Sequence, residues 1–300
     1  MGFRHPIIKD LIWLIQNPGL LAPDDRVIPD QAWFEEHLQV IYPLLEKLDK
    51  EPTLLKPFEN DIKPVVGDYF EKLVALWLEQ NPNIQHIKQH QVVFEEKRTV
   101  GEFDFLFEDK TLQKSFHWEV AVKYYLQVYN NHKYEFLGPN AKDSFAKKTA
   151  KMLGKQLLLS QNGNAKEILK EYSKPIYPVG ILKGMLFYPS SSDWKNPNNL
   201  PPEIPKNHLK GWWCHSNSLL IPQNDQTSRW YVLKKPFWLT IHSKNLDNPH
   251  KINDLKIVIK NHFDQSTQPL LLAEVMQNNT GEWFEVSRGF IVSEHWPRAK

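Results

Sequence analysis

The alternation of apolar and polar positions changes period several times along the chain, and each change marks an element. Residues 7–15 form one apolar-rich stretch closed by Asn17-Pro18-Gly19, and residues 30–48 read as an amphipathic helix that Asp30 can cap. Prolines at 52, 57 and 64 make a linker-like passage. From residue 65 to 79 the apolar positions 66, 69, 70, 73, 74 and 77 make a helical stripe, stopped by Asn81-Pro82-Asn83. Three runs then read as strands, 89–94, 100–107 and 116–126, with a polar hairpin loop at 108–115. Gly138-Pro139-Asn140 is a turn, Asp143 can cap a helix running to about residue 160, and 176–188 reads as a fourth strand. Residues 190–206 are irregular, rich in Ser, Asn and Pro, and short strand-like runs follow at 229–234, 237–242, 269–276 and 283–292.

The predicted class is therefore α/β. An αβββαβ core at 61–189, a mixed sheet flanked by helices, is preceded by a helical region at 1–60 and followed by a mixed, β-rich region at 190–300.

The two middle strands carry the candidate chemistry. In residues 101–107, Phe103, Phe105 and Phe107 occupy alternate positions, so Glu102 and Asp104 point the other way. In the next strand Glu119, Ala121 and Lys123 share the face opposite Trp118, Val120 and Val122. If Phe107 pairs with Phe116, Asp104 lies opposite Glu119 on one face, with Cβ atoms about 5 Å apart. Two carboxylates so placed repel unless a cation lies between them, either Lys123 or a divalent metal such as Mg²⁺.

On the following helix, Gln156 interrupts an apolar face made by Thr149, Met152, Leu153 and Leu157, as a buried amide with hydrogen-bonding work to do. Lys148, Lys151 and Lys155 fall at i, i+3 and i+7, a basic stripe suited to phosphate contact or to solvation. His86 and His90 have i, i+4 spacing without a third ligand and read as an exposed face; His208, Cys214 and His215 lack the partners for zinc. The adjacent aromatic pairs 212–213, 230–231, 237–238 and 283–284 read mainly as core.

Composition narrows the chemistry. Thirty-seven basic residues against 35 acidic ones give a net charge of +2, too mild to announce a nucleic-acid binder and no bar to one. With 12 glycines and none in a GxG arrangement, the dinucleotide and kinase loops are absent, as are GxSxG, HExxH and the P-loop. A single cysteine excludes an internal disulfide, and no apolar run approaches a membrane span, so a cytoplasmic protein without a membrane partner is the default.

The helix bearing Glu71, the strand bearing Asp104 and the strand ending in Lys123 together resemble the PD-(D/E)XK nuclease superfamily, and residues 65–188 follow its αβββαβ order. More closely, the chain resembles a bacterial family of unknown function placed in that superfamily. The resemblance implies metal-assisted phosphodiester hydrolysis of DNA or RNA with Mg²⁺ or Mn²⁺. Asp104 would be the metal-binding aspartate, Lys123 the lysine near the attacking water and Glu71 the acid of the first helix. The family's second acid falls at Ala121, and Phe103 replaces its proline. Glu119 is taken as the migrated acid, with Glu102 as its rival. The alternatives are an inactive nuclease fold that binds nucleic acid or another partner, and a structural protein with a salt-bridge network on its sheet.

Overall fold

The computed structural model describes residues 3–24, 28–130, 132–198, 200–241 and 249–297. Among them a nine-stranded mixed sheet runs in the order β1-β2-β3-β5-β6-β9-β8-β7, with β4 paired to β3 off this path. The strands are β1 (Ile84–Glu95), β2 (Arg98–Asp109), β3 (Lys114–Asn130), β4 (Lys133–Leu137), β5 (Ile176–Pro189), β6 (Lys210–His215), β7 (Arg229–Leu233), β8 (Leu270–Gln277) and β9 (Trp283–Val292). The first three form an antiparallel meander, and β5 lies parallel to β3 over 12 paired positions. The α/β class holds, and the expected order of helix, three strands, helix and strand gains one short strand, β4, before the second helix.

The leading helices are α1 (Pro6–Gln16), α2 (Gln31–Lys50), α3 (Lys56–Asn60) and α4 (Val66–Gln80). Asp30 caps α2 by accepting from the Trp33 amide. Apolar faces of α1, α2 and α4 bury Leu11, Leu38, Phe70, Leu73 and Trp77 against Phe105, Phe107, Trp118 and Val120. Each such side chain contributes about 1.5–3 kcal/mol, which fixes α4, and Glu71 on it, over the meander. No helix among the described residues is long and apolar enough to cross a membrane.

Four local departures matter. The helix expected from Asp143 to residue 160 is shorter and is capped by the Ser144 side chain: α5 (Phe145–Lys151) gives way to a wider π-helical turn at Met152–Gln156. That turn spoils the 3.6 period on which the Lys148, Lys151 and Lys155 stripe depended. Phe103 does not share a face with Phe105 and Phe107; it packs with Val93 and Leu106 and edge-on to His117. The break falls between Phe103 and Phe105, where the ladder skips a pair: Gln89 pairs with Phe105 and Gln91 with Phe103, and His90 between them stands at φ 51°. In the C-terminal part, β6 and α7 (Ile252–Phe263) join the expected strands, and β6 to β9 extend the same sheet past β5. Finally, 237–241 is no strand: the Trp238 carbonyl accepts from Tyr124 and Arg288, and its indole donates to Leu233, so side-chain bonds replace a ladder. Residue 242 of that predicted run lies outside the described residues.

Two glycines let the layers close. A Cβ on Gly180 would come within 2.9–3.3 Å of Ile28, Leu157 and Met152, so the absence of one lets the π-turn lie on β5. Gly184, at φ 139°, sits opposite Lys123, whose carbonyl a side chain there would strike.

Candidate active site

The hairpin pairs Phe107 with Phe116 and Phe105 with Trp118, and it ends there, so the next residues along each strand, Asp104 and Glu119, stand at the point where β2 leaves β3. The Val120 amide, freed from the β2 ladder, donates to Asp104 Oδ2 at 2.9 Å. Glu119 is wholly buried. Its Oε1 lies 2.9 Å from His117 Nε2, and its Oε2 accepts from Gln156 Nε2. Gln156 Oε1 in turn accepts from Lys148 Nζ at 3.1 Å. The expected amide in the apolar face is thus the bridge from the helical layer to the sheet.

Burial dominates the electrostatics of the pair. Burial and then the charge of Glu119 push the Asp104 carboxyl up to about 7, against the Val120 amide, Lys148 and His117, which favour its ionised form. Burial likewise pushes Glu119 up to about 7, opposed by Lys148, by hydrogen bonding with Asp104 and by Lys151. Glu71, on α4, is also pushed up to about 7, first by burial and then by the Asp104 charge, while His90 at 3.9 Å pulls it down. Three acids therefore hold protons well above the ordinary carboxylate range. Burial pushes His117 down to about 4, so it is neutral beside Glu119, and its Nδ1 has no hydrogen-bond partner.

The cation that acts on both carboxylates is Lys148, whose own pKa is lowered chiefly by burial. Lys123, expected there, turns to Asp143 instead, with Nζ 2.7 Å from Oδ2, and the Tyr125 hydroxyl joins the same oxygen at 3.3 Å. The structure thus brings together Asp104, Glu119, Gln156 and Lys148, with Glu71 and Lys151 at the edge, and leaves Lys123 and the exposed Lys155 outside. Lys148 belongs to the site and not to a solvated stripe.

Ala121, where the nuclease resemblance would call for an acid, packs against a cluster containing Tyr125, Phe145, Met152 and Leu157, and an acid there would be buried among apolar atoms. Glu102 turns to His90, 3.0 Å away. His86 and His90 are exposed as expected, yet each faces a carboxylate, Glu108 for His86 and Glu71 with Glu102 for His90. His117 escaped notice because a lone histidine in an apolar strand reads as core; its i−2 spacing from Glu119 was the available signal.

Among the described residues no group of three or more His, Cys, Asp or Glu side chains is placed to hold a metal ion. A closed protein cage of the structural-zinc kind is thereby excluded for those residues. Mg²⁺ asks for less, since one or two carboxylates plus substrate phosphates and waters suffice. Asp104 and Glu119, two oxygen donors side by side, fit that requirement, and Glu71 feels the Asp104 charge as a further acid.

A family described as a domain of unknown function, DUF1853, matches residues 9–292. No curated protein and no solved structure matches the chain.

Proposed function

The chain belongs to the DUF1853 family, and we propose that it is a metal-dependent phosphodiesterase acting on DNA or RNA, a nuclease of the PD-(D/E)XK kind. The observation that carries the reading is the buried Asp104–Glu119 pair at the splayed end of an antiparallel hairpin, faced by Lys148 and Gln156 from the next helix. The order helix, three-stranded meander, helix and strand parallel to the third supports it.

Asp104 and Glu119 would hold Mg²⁺ or Mn²⁺, which when bound polarises phosphoryl oxygens and acidifies water. The remaining work falls to the chain itself. Gln156 and His117 fix the two Glu119 oxygens, so the carboxylate cannot rotate away from the pair. Lys148 offsets negative charge that grows at the phosphoryl group, the task Lys123 was expected to perform. Glu71, whose proton is held to about 7, would exchange a proton with solvent or a leaving oxygen near neutral pH.

The test is cleavage of end-labelled single-stranded DNA, duplex DNA and RNA in Mg²⁺, Mn²⁺ or EDTA. Wild-type protein cuts at least one of these only with metal, and Asp104→Asn or Glu119→Gln lowers the rate by about a hundredfold or more. Ala121 in its apolar cluster and Lys123 tied to Asp143 favour one rival, an inactive fold that keeps nucleic-acid binding. That rival predicts gel shifts without products. Neither products nor shifts at low salt would overturn both.

A further inference from the structure

Lys123 opens onto a cavity that the phosphodiesterase reading leaves without work. About 320 Å³ in volume, it lies between the start of α4, residues 122–125 of β3, the 138–143 turn and two C-terminal loops carrying Lys235, Trp238 and Gln268. Five separate stretches of chain converge on it, which is how ligand pockets are commonly built, and its size is at the lower end of theirs.

Its charge is unbalanced. Lys123, Lys142 and Lys235 line it, and Asp143 is the carboxylate among its described lining residues. Three ammonium groups less one carboxylate leave two positive charges. Lys123 and Asp143 are already paired at 2.7 Å, whereas Lys142 and Lys235 are exposed at the mouth. The Lys235 ammonium stands 4.9 Å from the Trp238 ring centre, over the apolar part of the wall. A phosphate monoester carries about −1.5 to −2 near pH 7, and an internal phosphodiester carries only one charge. Charge therefore matches a terminal phosphate better than a backbone one, and Trp238 and Val66 offer apolar surface to a sugar or base.

The cavity also lies in line with the carboxylates. Lys123 is four residues beyond Glu119 on the same face of β3, about 13 Å along the strand, and its charge reaches Lys148 beside the pair. We propose that this cavity binds the terminal phosphate monoester of a nucleic-acid strand, so that the protein takes strands by a phosphorylated end and offers an internal linkage to Asp104 and Glu119. The strand part rests on the phosphodiesterase reading; the phosphate-monoester pocket does not.

Calorimetric titrations of the full chain in EDTA separate the two. AMP, cyclic AMP and adenosine present the same base and sugar with a monoester, a diester and no phosphate. AMP binds, and the other two bind about tenfold more weakly or worse, as loss of a charge-assisted contact requires. Lys142→Ala with Lys235→Ala, both at exposed positions, weakens AMP by about tenfold or more. In the second arm, a 5′- or a 3′-phosphorylated oligonucleotide binds more tightly than its hydroxyl-ended twin, and the double variant erases the difference. Equal affinity for AMP, cyclic AMP and adenosine, no AMP binding at millimolar concentration, or an unchanged double variant would overturn the pocket. AMP binding with no preference for either phosphorylated end would overturn the strand-end assignment. Absence of cleavage in the metal assay leaves the AMP titrations as they stand, so the two readings fail separately.

Discussion

Asp10 and Asp104 are both withdrawn from water, and their surroundings are opposite. Asp10, fully buried on α1, accepts from the Tyr69 hydroxyl at 2.6 Å and from the Thr240 amide and hydroxyl at 3.0 and 2.5 Å. The buried Arg288 guanidinium feels its charge and is itself held by Glu285 through two 2.7 Å contacts. This group joins α1 to α4 and to the 237–241 segment, with Arg288 on β9 beside it. Asp104 accepts from the Val120 amide and has a second buried carboxylate beside it. Where donors and an arginine surround a carboxylate, it locks elements together. Where two buried carboxylates lie side by side, the fold keeps an electrostatic cost that a bound cation would relieve.

The largest effect that would break this contrast is at Asp10. Asp10→Ala should destabilise by about 3–5 kcal/mol, because it strands the buried partners of a satisfied charge; urea melts at pH 7 read it. A loss under 1 kcal/mol would mean that the hub carries no weight.

Asp104→Asn should do the reverse and, in EDTA at pH 8, stabilise by about 2–4 kcal/mol, since a shift from 3.8 to about 7 is worth roughly 1.4 kcal/mol per unit. The sign follows from linkage: the folded acid binds its proton more tightly than the unfolded one, so that contribution to stability is complete below pH 3.8 and lost as pH rises through about 7. The gain should therefore vanish toward pH 4. A variant less stable than wild type at pH 8 would place Asp104 with Asp10.

Lys183 sharpens the comparison from the basic side. It is buried on β5, its ammonium bonded to the Asn17 carbonyl at 2.5 Å and 3.6 Å from the Phe34 ring centre, and burial pushes it down to about 7. The unfolded lysine holds its proton to the ordinary 10.5, so stability from this group rises with pH between about 7 and 10.5. Lys183→Met should stabilise by about 1–3 kcal/mol at pH 6, with a smaller difference at pH 9. An equal difference at both pH values would show that Lys183 does not titrate on folding.

The smallest effect is at Lys148. Its charge favours the ionised forms of Asp104 and Glu119, so Lys148→Gln should raise the acid limb of the pH–rate profile by about half a unit to one unit. An unmoved limb would remove Lys148 from the site.

Much of this was legible in the sequence, for identifiable reasons. The stripe at 66, 69, 70, 73, 74 and 77 gave α4, and the facing Phe107 and Phe116 gave a hairpin register that placed Asp104 by Glu119. Gln156 betrayed itself as a polar break in an apolar face. Irregularities in regular elements left no such trace. Nothing in alternation marks the kink at His90 where the ladder opposite Asp104 lapses and Phe103 changes face, and no proline announces the π-turn that moves Lys155 off the Lys148 face. Lys123 was misplaced because strand parity gives a face and not a partner: Asp143, read as a helix cap, claims its ammonium while Ser144 does the capping. Helix α7 stayed hidden because it buries little beyond Leu255 and Ile259 between strand-like runs.

The most direct measurement of the central claim is Mn²⁺ binding at pH 7.5, followed by electron paramagnetic resonance of the free ion in wild type, Asp104→Asn and Asp10→Asn. Wild type should bind Mn²⁺ saturably, with competition by Mg²⁺, loss in Asp104→Asn and retention in folded Asp10→Asn. Wild-type protein that leaves all the Mn²⁺ free at millimolar concentration, or an Asp104→Asn variant that binds as well as wild type, would contradict it.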